Sequence, residues 1–112
     1  MKYMIGKKDG SNSYFVEIDC EMDGDTWKYG VDWMTGSKGG GFHPDICDNI
    51  CRTEQDAIVN ACIHALHELY GSQVVFFDKN DTIIKINKLI DSVNKFMKEH
   101  SRPQYVQLSL FD

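Results

Sequence analysis

With 112 residues and a formal charge of -5, the chain has room for one hydrophobic core, and its acidic excess argues against a protein that grips nucleic acid by net charge alone. Hydrophobic residues make up 42% and charged residues 26%, ordinary globular usage that excludes wholesale disorder. No apolar run approaches bilayer length and the first ten residues hold no signal-like apolar stretch, so the expected location is the cytoplasm, with no membrane partner.

The first regular element in the pattern is a strand. Tyr14, Val16, Ile18, Cys20 and Met22 alternate with Glu17, Asp19 and Glu21, and the same period of two recurs at Trp27, Tyr29, Val31 and Trp33. Asp23-Gly24 between them is a hairpin signal, because both residues tolerate the positive φ of a tight turn. A two-residue loop there sets Cys20 opposite Trp27, Ile18 opposite Tyr29, Val16 opposite Val31 and Tyr14 opposite Trp33, with Asp19 facing Lys28 on the polar side. Lys2 to Gly6 is a candidate edge strand, followed by a turn over Lys7 to Ser13.

Residues 35–52 carry four glycines, one proline and no sustained period, and read as a long surface loop. Thr53 with Asp56 is a helix start, and Ile58, Ala61, Cys62, Ala65, Leu66 and Leu69 supply the apolar face, with Gly71 placed where a terminating glycine belongs. Val74 to Phe77 fits either a short strand or a packed linker. Asn80 or Asp81 then opens a second helix with the stripe Ile83, Ile86, Leu89, Ile90, Val93, Phe96 and Met97, ending at Ser101-Arg102-Pro103 because proline disfavours helical geometry in the residue before it. The expected fold is α+β: an antiparallel sheet of two or three strands packed on two helices as one domain over 1–102, and a flexible tail over 103–112.

The tail decides the functional reading. By period alone Val106, Leu108 and Leu110 fit a final strand with Gln107 and Ser109 facing water. Yet Gln107, Leu108, Ser109, Leu110 and Phe111 together resemble the pentapeptide by which many bacterial replication and repair proteins bind the DNA sliding clamp, a pattern of Gln, Leu, Ser or Asp, Leu, Phe. A chance match at all five positions is on the order of one in a million per window from average residue usage. The resemblance implies that the leucine and phenylalanine side chains enter an apolar cleft on the clamp while the Gln107 amide hydrogen-bonds beside it, so Leu110 and Phe111 are the expected anchors. It also implies a non-enzymatic accessory protein of bacterial, phage or mobile-element origin, acting in or against replication and repair, whose contact with DNA is indirect.

Other constellations carry less. Cys47 and Cys51 have zinc-like spacing, with His43, His64 and His67 nearby, but no second cysteine pair exists and Cys62 belongs to a helix face, so neither a metal nor another cofactor is expected. The thiols are expected to be reduced. Ser37-Lys38-Gly39-Gly40-Gly41 lacks phosphate-loop spacing, and His43-Pro44-Asp45 has no nucleophile placed with it, so no catalytic residues are assigned. Lys85, Lys88, Lys95 and Lys98 cluster on the second helix as possible nucleic-acid contacts, although a solvated helix surface explains them equally well. A module binding single-stranded nucleic acid through Tyr14, Trp27, Tyr29, Trp33 and the glycine-rich loop is the alternative function, with core packing as the competing account of those aromatics. Dimerisation through the apolar stripe of the second helix is a third.

Overall fold

The computed structural model describes residues 1–44 and 50–111, and for residues 11 and 102–111 the backbone alone. Four strands, β1 (Lys2–Lys7), β2 (Tyr14–Asp23), β3 (Thr26–Thr35) and β4 (Lys38–Phe42), form one antiparallel sheet in chain order, followed by α1 (Glu54–Val75) and α2 (Asn80–Phe111). Both helices lie on one face of the sheet, α1 over β2 and β3, α2 chiefly over β1 and β2. The α+β architecture and the β1 edge strand are as the sequence predicts; the sheet has four strands where two or three were expected.

Alternation in β2 and β3 explains which face is covered. Val16, Ile18, Cys20, Tyr29, Val31 and Trp33 are buried against Ala57, Ile58, Ala61, Cys62, Ala65 and Leu69 of α1 and Ile86, Leu89, Ile90 and Val93 of α2. The hairpin loop is Gly24-Asp25, one residue later than the sequence suggests, closed by the Asp23–Thr26 pair. Gly24 is at φ +66° and no non-glycine residue among the described residues has positive φ, so the turn takes its positive φ at the first central position, where glycine has no steric penalty. The partners therefore slide by two along β3, giving Cys20–Tyr29, Ile18–Val31, Val16–Trp33 and Tyr14–Thr35. A slide of two keeps every side chain on its face, which is why the core was predicted correctly from a wrong register. Lys28 faces Glu21 instead of Asp19 and forms an ion pair with Asp23 at 3.0 Å.

The stretch expected to be a loop contains β4, paired with β3 from Thr35–Lys38 to Val31–Phe42. Its glycines gave no hydrophobic period, yet the pairing needs them. A Cβ at Gly39 would meet the Trp33 carbonyl at 2.6 Å, and one at Gly41 would collide with the Asp32 side chain and the Val31 carbonyl. Beyond β4 the chain folds back across β3 at Gly30, where a Cβ would meet the Phe42 carbonyl at 2.6 Å and Pro44 at 2.7 Å.

Thr53 caps α1 as expected, its hydroxyl accepting from the Asp56 backbone N–H at 3.1 Å. Gly71 does not end the helix. α1 continues to Val75 because Ser72, fully buried, reaches Thr35 and Gln73 donates to Asn87 of α2, tertiary contacts that outweigh about 1 kcal/mol of glycine's helix penalty. Val74 to Phe77 is accordingly helix end and cap, with the Phe76 N–H donating to the Ser72 carbonyl at 3.0 Å, and is not a strand. The α2 stripe is spent on this chain's own core, which removes it as a dimer face. The α2 backbone runs on to Phe111 where the sequence places a stop at Ser101 to Pro103. Pro103 forfeits one helical hydrogen bond, but 104–111 holds neither glycine nor proline and can resume the same geometry.

Candidate docking surfaces

The helix whose backbone carries Gln107 to Phe111 is held to the rest of the fold near His100. Tyr3 of β1 packs edge-on against Phe96 and His100 of α2, each at 5.6 Å between ring centroids, and Phe96 and His100 lie 4.0 Å apart. His100 Nδ1 donates to the Phe96 carbonyl at 2.9 Å. The Tyr3 hydroxyl donates to Glu54 Oε1 at 2.8 Å, tying the same point to the start of α1. Burial, reinforced by the Glu54 carboxylate, pushes the Tyr3 phenol up to about 12, so this hydroxyl stays a donor through the physiological range. The orientation of α2 at His100 is thus set by both sheet and α1. The side chains of Gln107, Leu108, Ser109, Leu110 and Phe111 lie outside the described residues; their backbone is helical and joins no strand of the sheet.

The lysines of α2 divide. Lys85, Lys88, Lys95 and Lys98 are all exposed. Lys85 and Lys88 come together with Lys7 of β1 at the edge of the sheet, where Lys85 Nζ sits 5.3 Å from the centre of the Tyr14 ring. Lys95 follows Lys88 by seven residues and shares its side of the helix with Asp81 and Glu99, while Lys98 is rotated away towards Asp91. Lys7 was missed by sequence reasoning, and only its place at the end of β1, opposite Tyr14, brings it to the group.

The aromatic face is interior. Tyr29 is 2% and Trp33 7% exposed, while Tyr14 and Trp27 are partly buried around them, so this face is core and offers no platform for unpaired bases. The glycine-rich stretch assigned with it is β4. Between β4 and α1 a cleft of about 180 Å³ is lined by Trp33, Gly40, Phe42, His64 and Glu68, with His64 3.9 Å from Glu68 and edge-on to Phe42 at 4.9 Å.

Among the described residues, Cys20, Cys51 and Cys62 are thiols buried in one core. Cys47 lies outside the described residues. Cys51 is buried where residue 51 pairs with Trp27 through two backbone hydrogen bonds, and Cys62 is buried on the sheet side of α1. His64 is engaged with Glu68 and Phe42, and His67 is exposed on α1; no metal-binding cluster of three or more ligands exists among the described residues. Burial pushes the Cys20 and Cys62 thiols up to about 12, which makes both poor nucleophiles and poor metal ligands at neutral pH. No helix among the described residues is long and apolar enough to cross a membrane.

Comparison of the chain with protein-family models, with curated proteins and with solved structures finds no match.

Proposed function

We propose that this protein docks on the bacterial DNA sliding clamp through Gln107, Leu108, Ser109, Leu110 and Phe111, and acts in the bacterial cytoplasm as a non-enzymatic accessory in, or against, replication and repair. The observation that carries the reading is the match of those five residues, in order, to the clamp-binding pattern. Phage or mobile-element origin fits a small protein whose means of reaching replicating DNA is a borrowed peptide.

Two physical points support it. Among the described residues the core reaches Val93, with Phe96 and Met97 packed at its border, ten residues or more ahead of Gln107. A helical stretch as short as 104–111, set beyond a proline, is marginal on its own in water, and a partner's cleft competes with it at small cost. Burying Leu110 and Phe111 contributes roughly 3 to 6 kcal/mol together before ordering costs, the larger part of a micromolar affinity of about -8 kcal/mol for the whole peptide. Occupying a cleft that other clamp partners share also makes the protein a competitor of the polymerase.

The test is capture from bacterial lysate with the intact protein and with a chain lacking residues 107–112. The clamp retained by the first and lost by the second is the expected result; equal recovery of the clamp, or none with either, refutes the assignment.

A further inference from the structure

The end of β1, the start of β2 and the middle of α2 enclose a groove of about 270 Å³. Leu89 and Tyr14 form its floor, and Lys7, Lys85 and Lys88 surround it. Its depth depends on Gly6, held at φ +87°. A Cβ there would collide with the Tyr14 carbonyl and stand 3.0 Å from Leu89, so any other residue would strain the β1–β2 pairing and fill the space next to Leu89.

Charge is distributed unevenly around this feature. The chain as a whole is acidic, yet the groove is lined by three lysines and no carboxylate. Glu17 and Asp32 stand opposite one another on the sheet face that carries no helix, with Asp19 beside them. Among the described residues, the lysines engaged in ion pairs are Lys8 and Lys28, neither of which belongs to the groove. Three lysines around one groove, with no carboxylate among its described lining residues and no ion pair of their own, give it a positive potential that a polyanion meets favourably. Lys95, with Asp91 and Glu99 four residues to either side, continues the row, so Lys85, Lys88 and Lys95 span about 15 Å along α2, the length over which one DNA strand presents four or five phosphates at about 3.4 Å each.

We propose that this groove binds the phosphodiester backbone of duplex DNA, independent of base sequence. Lysine is a flexible point charge that meets phosphate without reading bases. Stacking, the mark of a single-strand site, is poorly served here: the Tyr14 ring carries the Lys85 ammonium over its face, and Tyr29 and Trp33 are buried. The biological setting rests on the clamp reading, since a protein tethered to a ring that encircles duplex DNA meets that backbone at high local concentration and needs only weak intrinsic affinity. The chemistry of the groove does not rest on it. Such a weak direct contact adds to the indirect one that the clamp supplies, and takes up Lys85 and Lys88 as the nucleic-acid contacts the sequence offers.

The experiment is fluorescence anisotropy of the full-length protein on a labelled duplex of about 30 base pairs and on one of its single strands, at about 20 mM NaCl and rising, where phosphate contacts are least screened. The wild type is expected to bind the duplex more tightly than the strand, with log affinity falling linearly with log salt. The variant K7Q/K85Q/K88Q is expected to lose at least about tenfold in duplex affinity and to flatten the salt slope by about two to three, while K7R/K85R/K88R retains both. Three results overturn the proposal: no duplex binding by the wild type at low salt, an unchanged affinity in the glutamine variant, or a preference for the single strand. Clamp binding measured on the same glutamine variant separates the two ideas, because it tracks residues 107–111 and stays at the wild-type level whether or not the groove binds DNA.

Discussion

Thr35 and Ser72 offer a direct test of how the β3–β4 hairpin is fastened to α1. Both are fully buried polar residues in an otherwise apolar interior. Thr35 Oγ1 lies 3.2 Å from the Lys38 carbonyl and 3.4 Å from Ser72 Oγ. A threonine hydroxyl has one proton, which goes to the nearer carbonyl, leaving Ser72 to donate to Thr35. Ser72→Ala therefore removes one donor but strands nothing, and costs about 1 kcal/mol. Thr35→Val, nearly isosteric, leaves the Lys38 carbonyl and the Ser72 hydroxyl both without their partner. Because Ser72 can turn back to the carbonyl four residues earlier, the cost is about 2 kcal/mol and not the full desolvation of two groups. In the double variant Ser72 is no longer stranded, so the loss stays near 2 kcal/mol, about 1 kcal/mol less than the two single losses added together. Urea unfolding followed by circular dichroism gives all four stabilities. Strict additivity of the two changes, or a cost for Thr35→Val below about 0.5 kcal/mol, would show that the hydroxyl pair does not fasten the hairpin.

Two further predictions concern α1 and pH. Thr53→Ala removes the cap that accepts from Asp56, and thermal unfolding should show a loss of about 1 kcal/mol, whereas Thr53→Ser should lose only a few tenths. Stability should also fall on the alkaline side. Cys20 and Cys62 are raised from 9.0 and Tyr3 from 10.0, all to about 12, so the unfolded chain releases these protons first and stability present below about pH 9 is lost progressively as pH approaches 12. Cys62→Ala should flatten the decline that begins near pH 9, and Tyr3→Phe the part above pH 10, in urea titrations at stepped pH. A stability independent of pH from 8 to 11 would contradict the burial of these groups.

What the sequence showed, and what it hid, follows from how far each signal reaches along the chain. Alternation over Val16, Ile18 and Cys20 and over Tyr29, Val31 and Trp33 is local, so the buried face of β2 and β3 was legible even though the turn was misplaced by one residue. The stripe of Ile86, Leu89, Ile90 and Val93 was legible for the same reason. β4 was not, since three glycines have no side chains to alternate, and the reason they pair is the closeness of β3, which only the fold reveals. Gly71 misled because its role was judged from the helix alone, while Ser72 and Gln73 continue α1 through contacts with Thr35 and Asn87. The lysine groove joins Lys7 and Tyr14 to Lys85 and Lys88 across most of the chain, and half of it was invisible before the strands were placed. The proposed clamp peptide is the opposite case, since its five residues are consecutive and its pattern is read without the fold.

Isothermal titration of purified bacterial sliding clamp with the intact protein tests that peptide most directly. A dissociation constant near the micromolar range for the wild type, with a loss of at least about a hundredfold in L110A/F111A as both anchors are truncated, is the outcome predicted from their burial. Equal heats and affinities for the two proteins, or no heat with the wild type, would contradict it.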